Sequence, residues 1–184
     1  MQQRRLETWR SVRETAVSLM GERGFDAVSV DDIAASAGIS RRTFFNYFPD
    51  KESVLFDPDP DDPALWSRLI DARPAGEPLW ISLRELILEY TSVVFERIHR
   101  HKGVLKASPE LRSCSREIAD RFWDAVRDWA GDDFRVEVQV NAARAVLNTT
   151  CPRWDAATGL EGLHTLIREG FDLLQSSHPE RTFS

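Results

Sequence analysis

Between Ser29 and Lys51 the chain reads SVDDIAASAGISRRTFFNYFPDK, a stretch that allows little besides two short helices joined by a tight turn. Ser29 can cap the first helix with Asp32 completing a capping box, and Val30, Ile33, Ala34 and Ala37 supply its apolar stripe. Gly38 suits the residue that leaves a helix with positive φ, Ile39 fills the corner, and Ser40 can cap the next helix. On that second helix, at about 100° per residue, Phe44 and Phe48 fall together as the buried side while Arg42 and Asn46 lie opposite. Thr43 and Tyr47 take one flank and Phe45 the other; Arg41 belongs to the first turn, whose side chains splay outward.

Helix, glycine-containing turn and capped helix is the helix-turn-helix order. Its front has the chemistry of a duplex reader: arginine can donate bidentately to guanine O6 and N7, asparagine to adenine, and threonine and tyrosine hydroxyls can reach phosphate. A net charge of −6 argues against nucleic acid until it is divided along the chain. Residues 1 to 56 carry eight basic and eight acidic side chains, and the rest sixteen against twenty-two. A neutral head whose basic groups gather at its tip and N-terminal arm, on an acidic body, fits DNA binding through one edge.

Other features bound the class. The 184 residues, 42% of them apolar, suffice for one large domain or two smaller ones. No run of about 18 apolar residues and no signal-like N-terminus occurs, so the expectation is a cytoplasmic protein with no membrane segment. Cys114 and Cys151, without C-x-x-C spacing, read as buried reduced thiols. No Walker loop, G-x-G-x-x-G, G-x-S-x-G or H-E-x-x-H appears, and His99 and His101 point to different sides of a helix; neither an enzyme, a metal site nor a cofactor is expected.

Along the chain, Trp9, Val12, Ala16, Leu19 and Met20 predict a first helix from about Arg5 to Arg23, with Arg4 and Arg5 at its start. Asp50 caps a further helix beginning at Lys51. Residues 57 to 63, DPDPDDP, read as an acidic linker, which divides the chain into a head (1–56) and a helical body (64–184); an EF-hand is excluded by the missing Gly and terminal Glu. In the body, a short helix at Leu65–Ala72 precedes a long one over Leu79–His101, ended by Gly103 and apolar on more than one side, with Trp80, Leu88 and Phe95 off its main stripe. Ser108-Pro109 starts the next, carrying Leu111, Cys114, Ile118, Phe122 and Trp129, with Trp123 on a neighbouring face. Residues 134–140 alternate at period 2, yet Val136, Val140, Ala143 and Leu147 also fit a helix, and the Ala-rich continuation favours helix. A capping box at Thr158 and Glu161 opens the last helix, which has two apolar faces, and the tail from Ser176 is expected to be loose.

The stretch FDAVSVDDIAASAGISRRTFFNYFPDKESVL resembles the DNA-binding domain of the TetR family of bacterial regulators. The resemblance implies an all-α fold in which three N-terminal helices bind DNA and a larger helical domain binds an effector. It implies a homodimer formed through the last two helices as a four-helix interface, with Gly162 and Gly170 allowing close approach, and release of a palindromic operator when a small molecule binds. By position it carries phosphate contact onto Ser29, Thr43, Tyr47 and Lys51, with Ser40 capping beside them, and base contact onto Arg41, Arg42 and Asn46. Phe45 stands where many members have a tyrosine that bonds phosphate, so its contact is apolar or absent. In this architecture the long helix lines the effector cavity, which makes Trp80, Leu88, Phe95, Phe122 and Trp123 the candidate pocket; RRTFFNYF resembles a subgroup with acyl-CoA-like ligands. The competing reading is a small-molecule carrier or an enzyme that keeps the helix-turn-helix for packing alone.

Overall fold

A computed structural model describes residues 2–107 and 115–176, and these are all helix and connection, with no strand among them. The helices are α1 (Gln2–Arg23), α2 (Val30–Ser36), α3 (Arg41–Phe45), α4 (Lys51–Phe56), α5 (Asp62–Asp71), α6 (Leu79–Val93), α7 (Phe95–Ala107), α8 (Ser115–Ala130), α9 (Phe134–Arg153) and α10 (Gly159–Ser176). The expected cap at Ser108-Pro109, the side chains of Leu111, Cys114 and Ile118, and the tail from Ser177 lie outside the described residues.

Two compact units emerge, and they do not follow the order read from the sequence: residues 1–63 group with 96–121, and 64–95 with 122–184. In the first, Trp9, Val12, Ala16 and Met20 of α1 meet Ile33, Phe44, Phe48, Val54 and Leu55 in a buried apolar core that Val104 of α7 also enters. In the second, α9 packs on α6 and α10, and α10 on α6, around Leu83, Leu86, Ile87, Val140, Ala143, Leu163, Ile167 and Phe171.

Four local expectations change. The long helix, which the sequence pattern runs unbroken to His101, is interrupted at Val94 (φ −98, ψ 13). Thr91 and Ser92 donate their hydroxyls back to the carbonyls of Ile87 and Leu88, which competes with the helical ladder before two β-branched valines. Gly103 does not end α7, because burial of Val104 carries the helix on to Ala107.

The capping box at Thr158 is not formed either. Asp155 caps a short 3-10 turn at Ala156–Thr158 through Ala157 N–H, the Thr158 hydroxyl donates to the Asp155 carbonyl, and Gly159 opens α10 with φ +62.

Residues 57–63, finally, are not a solvated linker. Arg10 donates from Nε and Nη2 to the two Asp59 carboxylate oxygens at 2.8 and 2.7 Å and from Nη2 to Asp61 at 2.7 Å. Asp62 is buried, accepting from Asp59 N–H and from Arg97 Nη2 at 3.0 Å. Paired charge lets acidic residues fold against α1, where unpaired they would stay in water.

Candidate DNA-binding surface

The turn between α2 and α3 is built as its residues require. Ser29 Oγ accepts from Asp32 N–H at 3.1 Å while the Asp32 carboxylate accepts from Ser29 N–H at 2.9 Å, the reciprocal capping box. Hydrogen bonds from the Ser29 hydroxyl and from its N–H hold Asp32's carboxyl below the usual carboxylate range. Gly38 adopts φ +67, and Ile39 N–H closes back on the Ala34 carbonyl. Ser40 caps α3 by accepting from Thr43 N–H at 3.0 Å, and its hydroxyl lies 2.8 Å from that of Thr43.

α3 is shorter than expected, with Asn46 as its C-cap, but Phe48 N–H still bonds to the Phe44 carbonyl, so the turn continues. Phe44 and Phe48 are fully buried, stacked in a tilted pair and, through Phe48, against Trp9. Arg42 and Asn46, opposite them, are exposed, as are Arg41 in the first turn and Phe45 on one flank, and Thr43 and Tyr47 are half-buried on the other. The structure therefore leaves Arg41, Arg42 and Asn46 exposed around the buried Phe44 and Phe48. Arg5 of α1 adds itself there, its guanidinium 5.9 Å from the centre of the Tyr47 ring.

Two predicted contacts are engaged internally. The Lys51 ammonium donates to the carbonyls of Phe25 (2.8 Å) and Val28 (3.0 Å) and sits 3.8 Å from the centre of the Phe25 ring, pinning the α1–α2 loop to the start of α4. An ammonium has three N–H groups, so one remains for a phosphate. Arg41 pairs with Asp31 at 2.8 Å and lies over the Phe45 ring at 5.5 Å, and the ion pair is invisible in the sequence because its partners stand ten positions apart across a turn.

Sequence reasoning also missed Arg13. Buried in α1, it donates to the Leu55 and Asp57 carbonyls at 2.8 and 2.6 Å, with Nη2 3.4 Å from His101 Nε2. Burial, aided by Arg97, lowers its pKa to about 10, so it stays charged at neutral pH.

In the second unit, the aromatic residues expected to line a pocket engage in several ring contacts. Ring contacts group Phe122 with Tyr90 (stacked, 4.5 Å), Trp66 and Trp123; Phe95 with Trp154; and Trp80 with Phe171. Leu88 is buried in α6. The indole N–H groups of Trp66, Trp80 and Trp123 are buried without a hydrogen-bond partner. His164, unpredicted, is buried with Nε2 3.2 Å from Thr91 Oγ1, and burial lowers its pKa. No helix of the described residues is long and apolar enough to cross a membrane, and they hold no His, Cys, Asp and Glu group able to bind a metal.

Comparison with known proteins points the same way as the head's geometry. Residues 12–57 match the model of bacterial regulatory proteins of the tetR family. The HTH-type transcriptional regulator EthR of Mycobacterium tuberculosis is 30% identical over 156 residues, which span 82% of this chain and 68% of EthR. Among solved structures, FadR of Bacillus subtilis in complex with stearoyl-CoA superposes with a TM-score of 0.63 at 18% identity, over 90% of this chain and 97% of that one. FadR of Thermus thermophilus in complex with lauroyl-CoA gives 0.57 at 23% identity, over 94% and 96%. At these identities the structural likeness is one of fold.

Proposed function

The chain belongs to the TetR family of bacterial regulatory proteins, and on that footing we propose that it is a dimeric, cytoplasmic repressor that leaves its operator when an acyl-CoA-like or other largely apolar effector binds. The observation that carries the DNA half is the α3 front: Arg41, Arg42 and Asn46 exposed around a fully buried Phe44–Phe48 back. Arg41, Arg42 and Asn46 read base edges, Phe45 makes an apolar contact, and Ser29, Ser40, Thr43, Tyr47 and Lys51 register the backbone. Residues 1–56 act as the reading head and 64–184 as the body.

One head neutralises few phosphates, so tight binding needs two. Phe134 and Val138 of α9 and Leu173 and Leu174 of α10 are exposed, Phe134 to 75% and Leu173 to 67%, which supports pairing of these helices with a second copy. Two α3 helices must then stand about one DNA turn apart, roughly 34 Å or a multiple. An effector shifts the population away from that spacing by no more than its differential affinity for the two states.

For the effector, the unpaired indole N–H groups of Trp66 and Trp123 beside Phe122 support a ligand with a long apolar part and a few acceptors. The acyl-CoA bound in both FadR structures is the first to try. Fluorescence anisotropy on duplexes tiled across the DNA flanking the gene tests the whole reading. One duplex should bind at least about tenfold tighter than random DNA and be released by lauroyl- or stearoyl-CoA. Arg42→Ala should then cost about 1–3 kcal/mol on that duplex with less loss on random DNA. Equal binding to every duplex refutes the repressor; release by no acyl-CoA refutes only the effector class.

A further inference from the structure

Resting on the groove-facing role of α3 proposed above, we infer that Asp31 is a specificity-determining residue that positions Arg41 to read a base in preference to meeting a phosphate. Asp31 lies in the first turn of α2, and its Oδ2 accepts from Arg41 Nη1 at 2.8 Å. The same guanidinium lies over the Phe45 ring, 5.5 Å from its centre. One contact holds an end of the guanidinium and the other its centre. Five N–H donors belong to an arginine, and Asp31 takes one from Nη1, so both terminal nitrogens keep a donor for the O6 and N7 acceptors of guanine.

The carboxylate also acts by what it repels. An unrestrained arginine beside a duplex is drawn to phosphate, the most abundant acceptor, and this contributes affinity without sequence information. A carboxylate within hydrogen-bond reach competes for that guanidinium and repels the phosphate that would replace it. Arg42, the next residue, has no ion-pair partner among the described residues, so the two adjacent arginines are not equivalent. Side chains of the Asp31–Arg41 pair are 66% and 60% exposed, so in water the pair is weak and its effect on the fold is small. Against a duplex it is desolvated and acts on the choice of base.

The test is selection of duplexes from a random pool by wild type, Asp31→Asn, Asp31→Glu and Arg41→Ala. Anisotropy titrations on the selected duplex and on a scrambled one follow, at several salt concentrations. Asp31→Asn should bind scrambled DNA about three- to tenfold tighter, with a salt slope steeper by about 0.9, the value of one further phosphate contact. It should also lose preference at one symmetric guanine, and Asp31→Glu should restore that preference. With Arg41→Ala already present, Asp31→Asn should no longer change base preference. Unchanged scrambled affinity and salt slope for Asp31→Asn, or the same change of preference with and without Arg41, overturns the role of Asp31 alone. Failure of the wild type to select any duplex overturns the groove reading, and the role of Asp31 with it.

Discussion

Gly170→Ala is the sharpest test of how the two last helices are used, because one added methyl distinguishes packing inside the subunit from packing between copies. A Cβ at Gly170 would lie 2.6 Å from Val146 Cγ1 and 3.4 Å from Cγ2, whereas carbon atoms rest at about 3.5–4.0 Å. The helices α9 and α10 must therefore part by about 1 Å, or Val146 must turn. A valine in a helix has one strongly preferred rotamer, and Val146 is buried, so parting is the cheaper response. Overpacking of this kind costs about 1–3 kcal/mol, and exchanging a helical glycine for alanine returns about 1 kcal/mol. A net loss of up to about 2 kcal/mol is expected in urea unfolding followed by circular dichroism. Val146→Ala removes both offending methyls, so the double variant should be more stable than the sum of the single changes, with a coupling of about 1 kcal/mol. Strict additivity refutes the reasoning, as would unchanged stability with weakened self-association, which would return Gly170 to the interface between copies.

Lys51→Met keeps the apolar stem but strands two carbonyls, and should cost about 1–3 kcal/mol of stability in the head while flattening the salt slope of DNA binding by about 1; a lost slope without lost stability contradicts the pinning role. His101 is pushed down to about 3 by burial and by Arg13, Arg97 and Arg100, so the unfolded chain takes up a proton below about pH 6.5 that the folded one refuses. Its contribution to stability is thus complete above about pH 6.5 and falls by up to about 1.4 kcal/mol per pH unit towards about pH 3. Urea midpoints at neutral pH and about two units below it should diverge less in His101→Gln, and parallel lines for the two proteins refute the assignment. Leu173→Glu, on the exposed face of α10, should weaken self-association at least about tenfold, or about 1.4 kcal/mol, in sedimentation without lowering the helical content; an unchanged dimer moves the interface elsewhere.

Sequence makes legible what residues a few positions apart decide. The capping box of Ser29 and Asp32, the positive φ of Gly38 and the buried Phe44–Phe48 back all depend on short-range spacing, and all are present. Where a distant partner decides, spacing misleads. Gly170 reads from spacing as room for a second subunit, and the fold adds that a Cβ there would also strike Val146 of the same chain. The alternation at 134–140 looks like a strand, and helix wins because Val140 and Ala143 lie buried in one core with Val146, positions that only a helical period aligns. Lys51 looks like a phosphate ligand by position, and only the fold reveals that two carbonyls already hold it.

The acidic prolines at 57–63 carry this furthest. Three prolines and four aspartates argue locally for a hydrated hinge, and a hinge would let the head move freely with respect to the helices C-terminal to it. Arg10, Arg13 and Arg97 reverse that conclusion. They bind Asp59, Asp61, Asp62 and the Asp57 carbonyl, and Arg97 belongs to α7, whose Val104 is part of the head's own core. The head is therefore fastened to α7 by charge and by apolar burial at once, so that α7 belongs with the head although the sequence places it in the body.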